Sequence, residues 1–310
     1  MVDFSLFKFE GQPLEKLIDV IHKAIGRIYG PRAIRNEADA KAYEILAIER
    51  AKAEAYIYRQ EIEQDVLDRI SERIIHKEIR KQNNIDKVTR IAIEELENES
   101  SISSTPVDED WAVRFFNIVE DITDEQMQIL WGKILAGEVK SPNSFSIRTI
   151  EFLKNMIKID AELFTKASNY VITSDDGYFF FKGAKNEMLE KHGLSYDERQ
   201  KLIEIGLIRT GERTALIFDP KPENVETYYR SGKYIIKCKI KVGTPICDIP
   251  VFMLTTIGKE LLKLITITQI EAYIKDFYFY LHNLGFDVEY SFILNINGDR
   301  IEHTTPWMKF

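Results

Sequence analysis

Cysteine is nearly absent: the 310 residues hold two, Cys238 and Cys247. Their spacing is neither that of a CxxC redox pair nor that of a zinc pair, so they read as free thiols in a reducing compartment. Positive charge is also in short supply. Lys and Arg number 42 against 50 Asp and Glu, for a net charge of −8. A phosphate-binding surface needs clustered, uncompensated cations, so this balance argues against a general nucleic-acid binder. No apolar run is long enough to span a bilayer. The opening MVDFSLFKFEG has no basic stretch followed by an apolar one, so no secretory signal is expected and a cytoplasmic protein is. The histidines, His22, His76, His192, His282 and His303, fall in neither HxxxH nor HExxH spacing. Phosphate loops, GxGxxG turns and GxSxG elbows are missing too. Asp175-Asp176 could form an acidic pair, but beside Gly177 it reads as turn chemistry. The sequence therefore nominates no catalytic residue, no cofactor-binding residue and no metal ligand, and a non-enzyme is expected.

What is present is helix. From Pro13 to Tyr29, Leu14, Leu17, Ile18, Ile21, Ala24, Ile25 and Ile28 recur at helical spacing, and Gly30-Pro31 ends the element. Such a helix can pack on a core, pair with a copy of itself, or lie in a membrane surface, and Leu14, Leu17, Ile18, Ile21, Ile25 and Ile28 would then be the lipid-facing set. Between Arg32 and Leu96 there is neither proline nor glycine. Good helix formers dominate, so a long charged arm is predicted. Its stripe includes Ile34, Ile45, Ile48, Ile62, Val66 and Ile70, but Lys41, Lys52 and Arg59 interrupt a strict coiled-coil seam. A break is expected near Gln82-Asn83-Asn84. The phrase EADAKAYEILAIERAKAEAY resembles the alanine–glutamate coils of ring-forming stomatin and flotillin proteins. A narrow apolar stripe on a charged helix points to self-association.

The polar stretch ENESSISSTP reads as a linker. After it, Thr105-Pro106 offers a helix start, and Trp111, Phe115, Ile118 and Ile122 mark a buried face. Thr123 to Gln126 begins a second helix with Leu130, Trp131, Ile134 and Leu135 in the core, and Gly137 is expected to end it. Lys140 to Asn143 is a turn, flanked by Glu138 and Arg148, which could pair across it. Short connections imply a compact helical bundle.

Beyond residue 170, Asp175-Asp176-Gly177 joins two apolar runs into a hairpin. Ser195-x-x-Glu198 is a capping box opening a helix that Gly206 closes. Strands are expected at Leu207-Ile208, 215–218, 234–236, 250–254 and 286–295, with a helix from Thr255 and an aromatic helix through Tyr273, Phe277 and Tyr278. A helix ending in Gly-Leu-Ile, then strands, then Leu-Thr-x-x-Gly follows the scheme of a winged helix. The predicted fold is thus α+β and mostly α. It comprises an amphipathic helix and long helical arm over 1–100, a central helical bundle over 101–170, and a winged-helix-like mixed domain over 171–310.

The run LWGKILAGEVKSPNSFSIRTIEFLKNM, with the opening from Gly30 to Tyr43, resembles the bacterial family of unknown function DUF2806. The resemblance rests on Leu130, Trp131, Ile134 to Glu138, Pro142, Ser144 to Ser146, Arg148 and Thr149. It implies a bacterial intracellular protein and brings no activity; such families often sit among phage-defence or mobile-element genes. The leading expectation is a self-associating interaction or scaffold protein in that setting, a homo-oligomer through its helices with room for a protein partner. Its surface would be Ile34, Ile45, Ile48, Ile62, Val66 and Ile70, with Glu138 and Arg148. The alternatives are a peripheral effector on the inner membrane that assembles through its N-terminal helices, and a winged-helix DNA-binding regulator.

Overall fold

A computed structural model of the chain describes residues 12–25, 48–50, 64–97, 99, 102–209, 211, 215–218, 223–297 and 300–310. About 51% of these residues are helical and 21% are strand. The chain divides into two compact units, Met1–Lys154 and Asn155–Phe310.

The elements of the first unit among the described residues are helices: α1 (Gln12–Ile25), α2 (Gln64–Leu96), α3 (Glu109–Val119), α4 (Glu125–Lys140) and α5 (Ile147–Lys154). α2 runs without the expected break. Asn84 is buried inside it, where its amide donates to the Glu120 carbonyl and accepts from Gln128. Lys81 also pairs with Glu120. Tertiary hydrogen bonds thus hold helical a stretch of middling helix formers. α2 and α4 cross closely at Gly132, where a Cβ would fall on the Ile91 side chain and lie 3.2 Å from the Val88 carbonyl. Trp111 and Trp131 are core residues, 3% and 0% exposed, meeting at Phe115. Local ends differ from expectation. The caps are Asp108, bonded to Trp111 N, and Asp124, bonded to Met127 N, because a carboxylate on the last extended residue accepts best there. Gly137 does not end α4. It leaves room for the Phe145 ring, which a Cβ there would approach to 2.9 Å.

The second unit corrects the predicted fold. It carries α6 (Lys158–Ser168), β1 (Val171–Ser174), β2 (Gly177–Phe181), α7 (Met188–Lys191), α8 (Tyr196–Glu204), β3 (Ala215–Phe218), β4 (Val225–Ser231), β5 (Tyr234–Ile240), β6 (Cys247–Met253), α9 (Thr256–Leu262), α10 (Glu271–Asn283), β7 (Asp287–Asn297) and β8 (Arg300–His303). The strands form one eight-stranded antiparallel sheet in the order β3-β6-β2-β1-β4-β5-β7-β8. Neither a mostly-α unit nor a winged helix describes it. The hairpin β1–β2, read as a separate feature, is the centre of this sheet, and the presumed wing strands are drawn into long-range pairs such as Phe180 with Phe252. The capping box at Ser195 and the helix expected from Thr255, which caps it, are present, but they serve a large sheet.

The sheet is strongly curled. β3 and β7 stand six places apart in the strand order, so a flat sheet would separate them by about 29 Å. Yet Phe218, which ends β3, and Phe286, which precedes β7, have ring centroids 5.6 Å apart. α10 lies in the resulting trough. Its Tyr273, Tyr278 and Tyr280 hydroxyls donate to the carbonyls of Phe181, Val288 and Asp248, on or beside β2, β7 and β6. Phe277 packs between Phe179, Phe181 and Tyr229.

Candidate interaction surfaces

α2 is 33 residues long, which at 1.5 Å per residue makes it about 50 Å. Its two halves differ. In the C-terminal half Asn84, Ile85, Val88, Thr89, Ala92 and Leu96 are all buried. Among the residues of the N-terminal half whose side chains are described, only Leu67 is, and Val66, Ile70, Ile74, Ile75 and Ile79 are half-buried. Val66 and Ile70 of the predicted stripe lie here. Ile48 is half-buried in a short helical stretch, while Ile34, Ile45 and Ile62 lie outside the described residues.

Glu138 and Arg148 do not share a surface. Arg148 is exposed, and Glu138 is 2% exposed. The Glu138 carboxylate turns inward and accepts from Asn143 N at 2.6 Å and Phe145 N at 2.9 Å. Asn143 has φ 68°, a left-handed turn conformation that Asn tolerates better than most residues. Lys16 of α1 supplies positive charge nearby and donates to the Ser103 carbonyl at 2.9 Å. Burial lowers its pKa, and Glu138 opposes that shift. Ser103 N in turn bonds the Lys140 carbonyl at 3.0 Å. The run LAGEVKSPNSF is therefore a clasp: a helix, a turn folded over its own glutamate, and the next helix.

The residues predicted to face lipid are used in packing where they can be seen. Leu17 and Ile21 are fully buried in the helical unit and Ile18 is half-buried. The side chains of Leu14 and Ile25, and all of Ile28, lie outside the described residues. No helix among the described residues is long and apolar enough to cross a membrane.

Two polar clusters in the second unit escaped sequence reasoning. His192 Nε2 lies 2.7 Å from Asp276 Oδ2, and Lys191 Nζ donates to the same oxygen at 2.6 Å. Burial would raise the Asp276 pKa, but hydrogen bonds from Lys191 and His192 outweigh it, and the carboxyl titrates below its usual range. Tyr170 donates to the His192 carbonyl at 2.6 Å, so the group ties α7 to α10. In the other cluster, Lys237 pairs with Glu289 at 2.7 Å and sits 4.2 Å from the Trp307 ring centroid. These contacts pin the chain after β8 onto the sheet, where Met308 and Tyr290 exchange backbone hydrogen bonds of 2.8 Å. The spacing of 84 residues between His192 and Asp276 leaves no local signal to read. Among the described residues, no group of three or more His, Cys, Asp or Glu side chains could hold a metal ion.

The chain belongs to the family described as "Protein of unknown function (DUF2806)", whose model matches residues 68–278. No curated protein and no solved structure matches it.

Proposed function

We propose that this protein is a self-associating interaction protein whose N-terminal helices make the contact between copies. The observation that carries this reading is the change of character along α2. Its C-terminal half is packed, whereas Ile70, Ile74, Ile75 and Ile79 in the other half keep part of their apolar surface in water. Fully burying an exposed side chain of this kind yields about 1.5–3 kcal/mol, and the part of that still to be gained at four half-buried isoleucines on one helix favours a partner. The polar clusters fit the same reading, because each joins elements of the fold: Glu138 holds a turn, and His192 with Asp276 holds α7 to α10.

The test is the mass of the intact protein against a variant carrying Ile74→Lys and Ile75→Lys. Truncation is unsuitable, since it would strip Val88 and Ala92 from the core. Light scattering is expected to give more than one chain for the wild type and a lower mass for the variant. A wild type that stays monomeric, or a variant of unchanged mass, overturns the reading.

A further inference from the structure

The sheet ends on β8, and no described strand pairs with its outer edge. A strand edge with unmet N–H and C=O groups is a template for another strand, and proteins often blunt it with charged side chains, especially Lys. β8 carries charge of both signs. Arg300 and Glu302 are both exposed, they alternate with Ile301, and they carry opposite charges. Ile301 lies opposite Ile296 of β7, which is 49% exposed. Leu294, the residue skipped where the register shifts, is 68% exposed.

We propose that β8 is a self-complementary edge that pairs antiparallel with β8 of a second copy of this chain. A two-fold axis through Ile301 sets Ile301 against its own copy. Because side chains two apart share a face, it also sets Arg300 opposite Glu302 of the second copy, twice over. Each opposite-charge pair across strands contributes about 0.2–1 kcal/mol. On the other face Ile301 and Ile296 of both copies form a four-isoleucine patch across the axis. A one-residue slip would set Arg300 or Glu302 opposite Ile301 of the second copy, and a two-residue slip would bring like charges together, so the register is specified. The other sheet edge lacks this property: β3 reads Ala215-Leu216-Ile217-Phe218, with no charge to select a partner or a register. A four-residue edge buries less than the roughly 1,200 Å² of a standard stable interface, so the expected dimer is weak and concentration-dependent.

This contact is distinct from the helical one, and the experiment separates them. Sedimentation velocity is run over a concentration series on the intact protein and on the Ile74→Lys/Ile75→Lys variant. In each background Arg300→Glu and Glu302→Arg are made singly and together. Each single reversal sets like charges across the axis and is expected to weaken association at least tenfold; the double reversal restores complementarity and association. Higher salt weakens the parent dimer. Single reversals that associate like the parent, or a double reversal that fails to recover, overturn the proposal. A helix variant that is monomeric at every concentration also overturns it, while supporting the helical contact. Loss of all association on single reversal instead supports the edge and counts against the helices. The substituted side chains are exposed, and unchanged thermal melts by circular dichroism establish that each variant is folded.

Discussion

Glu138 shows what one buried charge costs and what it secures. A carboxylate out of water must have its oxygens met, and here two backbone N–H groups of the turn it precedes meet them. Replacing it with alanine removes the acceptor of both N–H groups, of which that of Phe145 is buried. Glu138→Ala is therefore expected to lower stability by about 2–4 kcal/mol, and Glu138→Gln, which keeps one acceptor, by about half as much. The check is a shift of the denaturant midpoint at constant slope; an alanine variant within about 0.5 kcal/mol of wild type would refute the clasp. The sequence shows a glutamate beside a Lys-Ser-Pro-Asn turn, and a charged residue there reads as surface. What it hides is that the turn folds back over that residue. Trp111 and Trp131 were legible for the opposite reason, since aromatic residues at helical spacing among aliphatics have few places to go but the core.

At the scale of elements, the α2–α4 crossing depends on the missing side chain of Gly132. Gly132→Val would drive its methyl groups into Ile91 and the Val88 carbonyl. Overpacking of this kind costs about 1–3 kcal/mol and outweighs the helix propensity gained by losing a glycine. A drop in thermal midpoint is expected for Gly132→Val. A partial recovery is expected when Ile91→Ala is added, because the two changes share one space. Additive losses would show that the crossing is not the cause.

Helices were largely readable because their signals are local, such as Ser195 with Glu198 and the Trp111 to Ile118 face, although two of the caps proved to be Asp108 and Asp124. The sheet was not. Tyr178 to Phe181 and Tyr234 to Ile236 announce strands, but nothing near them says that Thr173 pairs with Arg230, or Phe180 with Phe252. β4, Val-Glu-Thr-Tyr-Tyr-Arg-Ser, was missed altogether because its outward face is charged. The winged-helix reading failed at this point, as short strands seen one at a time do not reveal that they belong to one sheet.

For the molecule as a whole, the curled sheet makes a sensitive reporter of its own integrity. Cys238 is fully buried in β5, and burial pushes its thiol up to about 12. Because the thiolate is the reacting species, a native chain should label at Cys238 only when the trough opens. Cys247 is partly exposed, though burial raises its pKa too. In a thiol-specific reagent at neutral pH, Cys247 should label slowly and Cys238 far more slowly still. Sub-denaturing guanidinium should then accelerate Cys238 selectively. Equal rates in the native protein would mean that the sheet does not shield β5.

The trough around α10 also constrains how the chain can be made. β6 precedes α10 in sequence and β7 follows it, yet both must lie against the same helix, and β5 gains its outer neighbour only when residues 287–292 arrive. Pairings this distant in sequence must pay loop closure before they are rewarded, which slows folding. During synthesis, β5 with its Tyr-Ile-Ile-Lys-Cys-Lys-Ile run therefore waits with a bare apolar edge until the last strands emerge. That interval, rather than the finished fold, is when this chain is most exposed to aggregation and most in need of a chaperone.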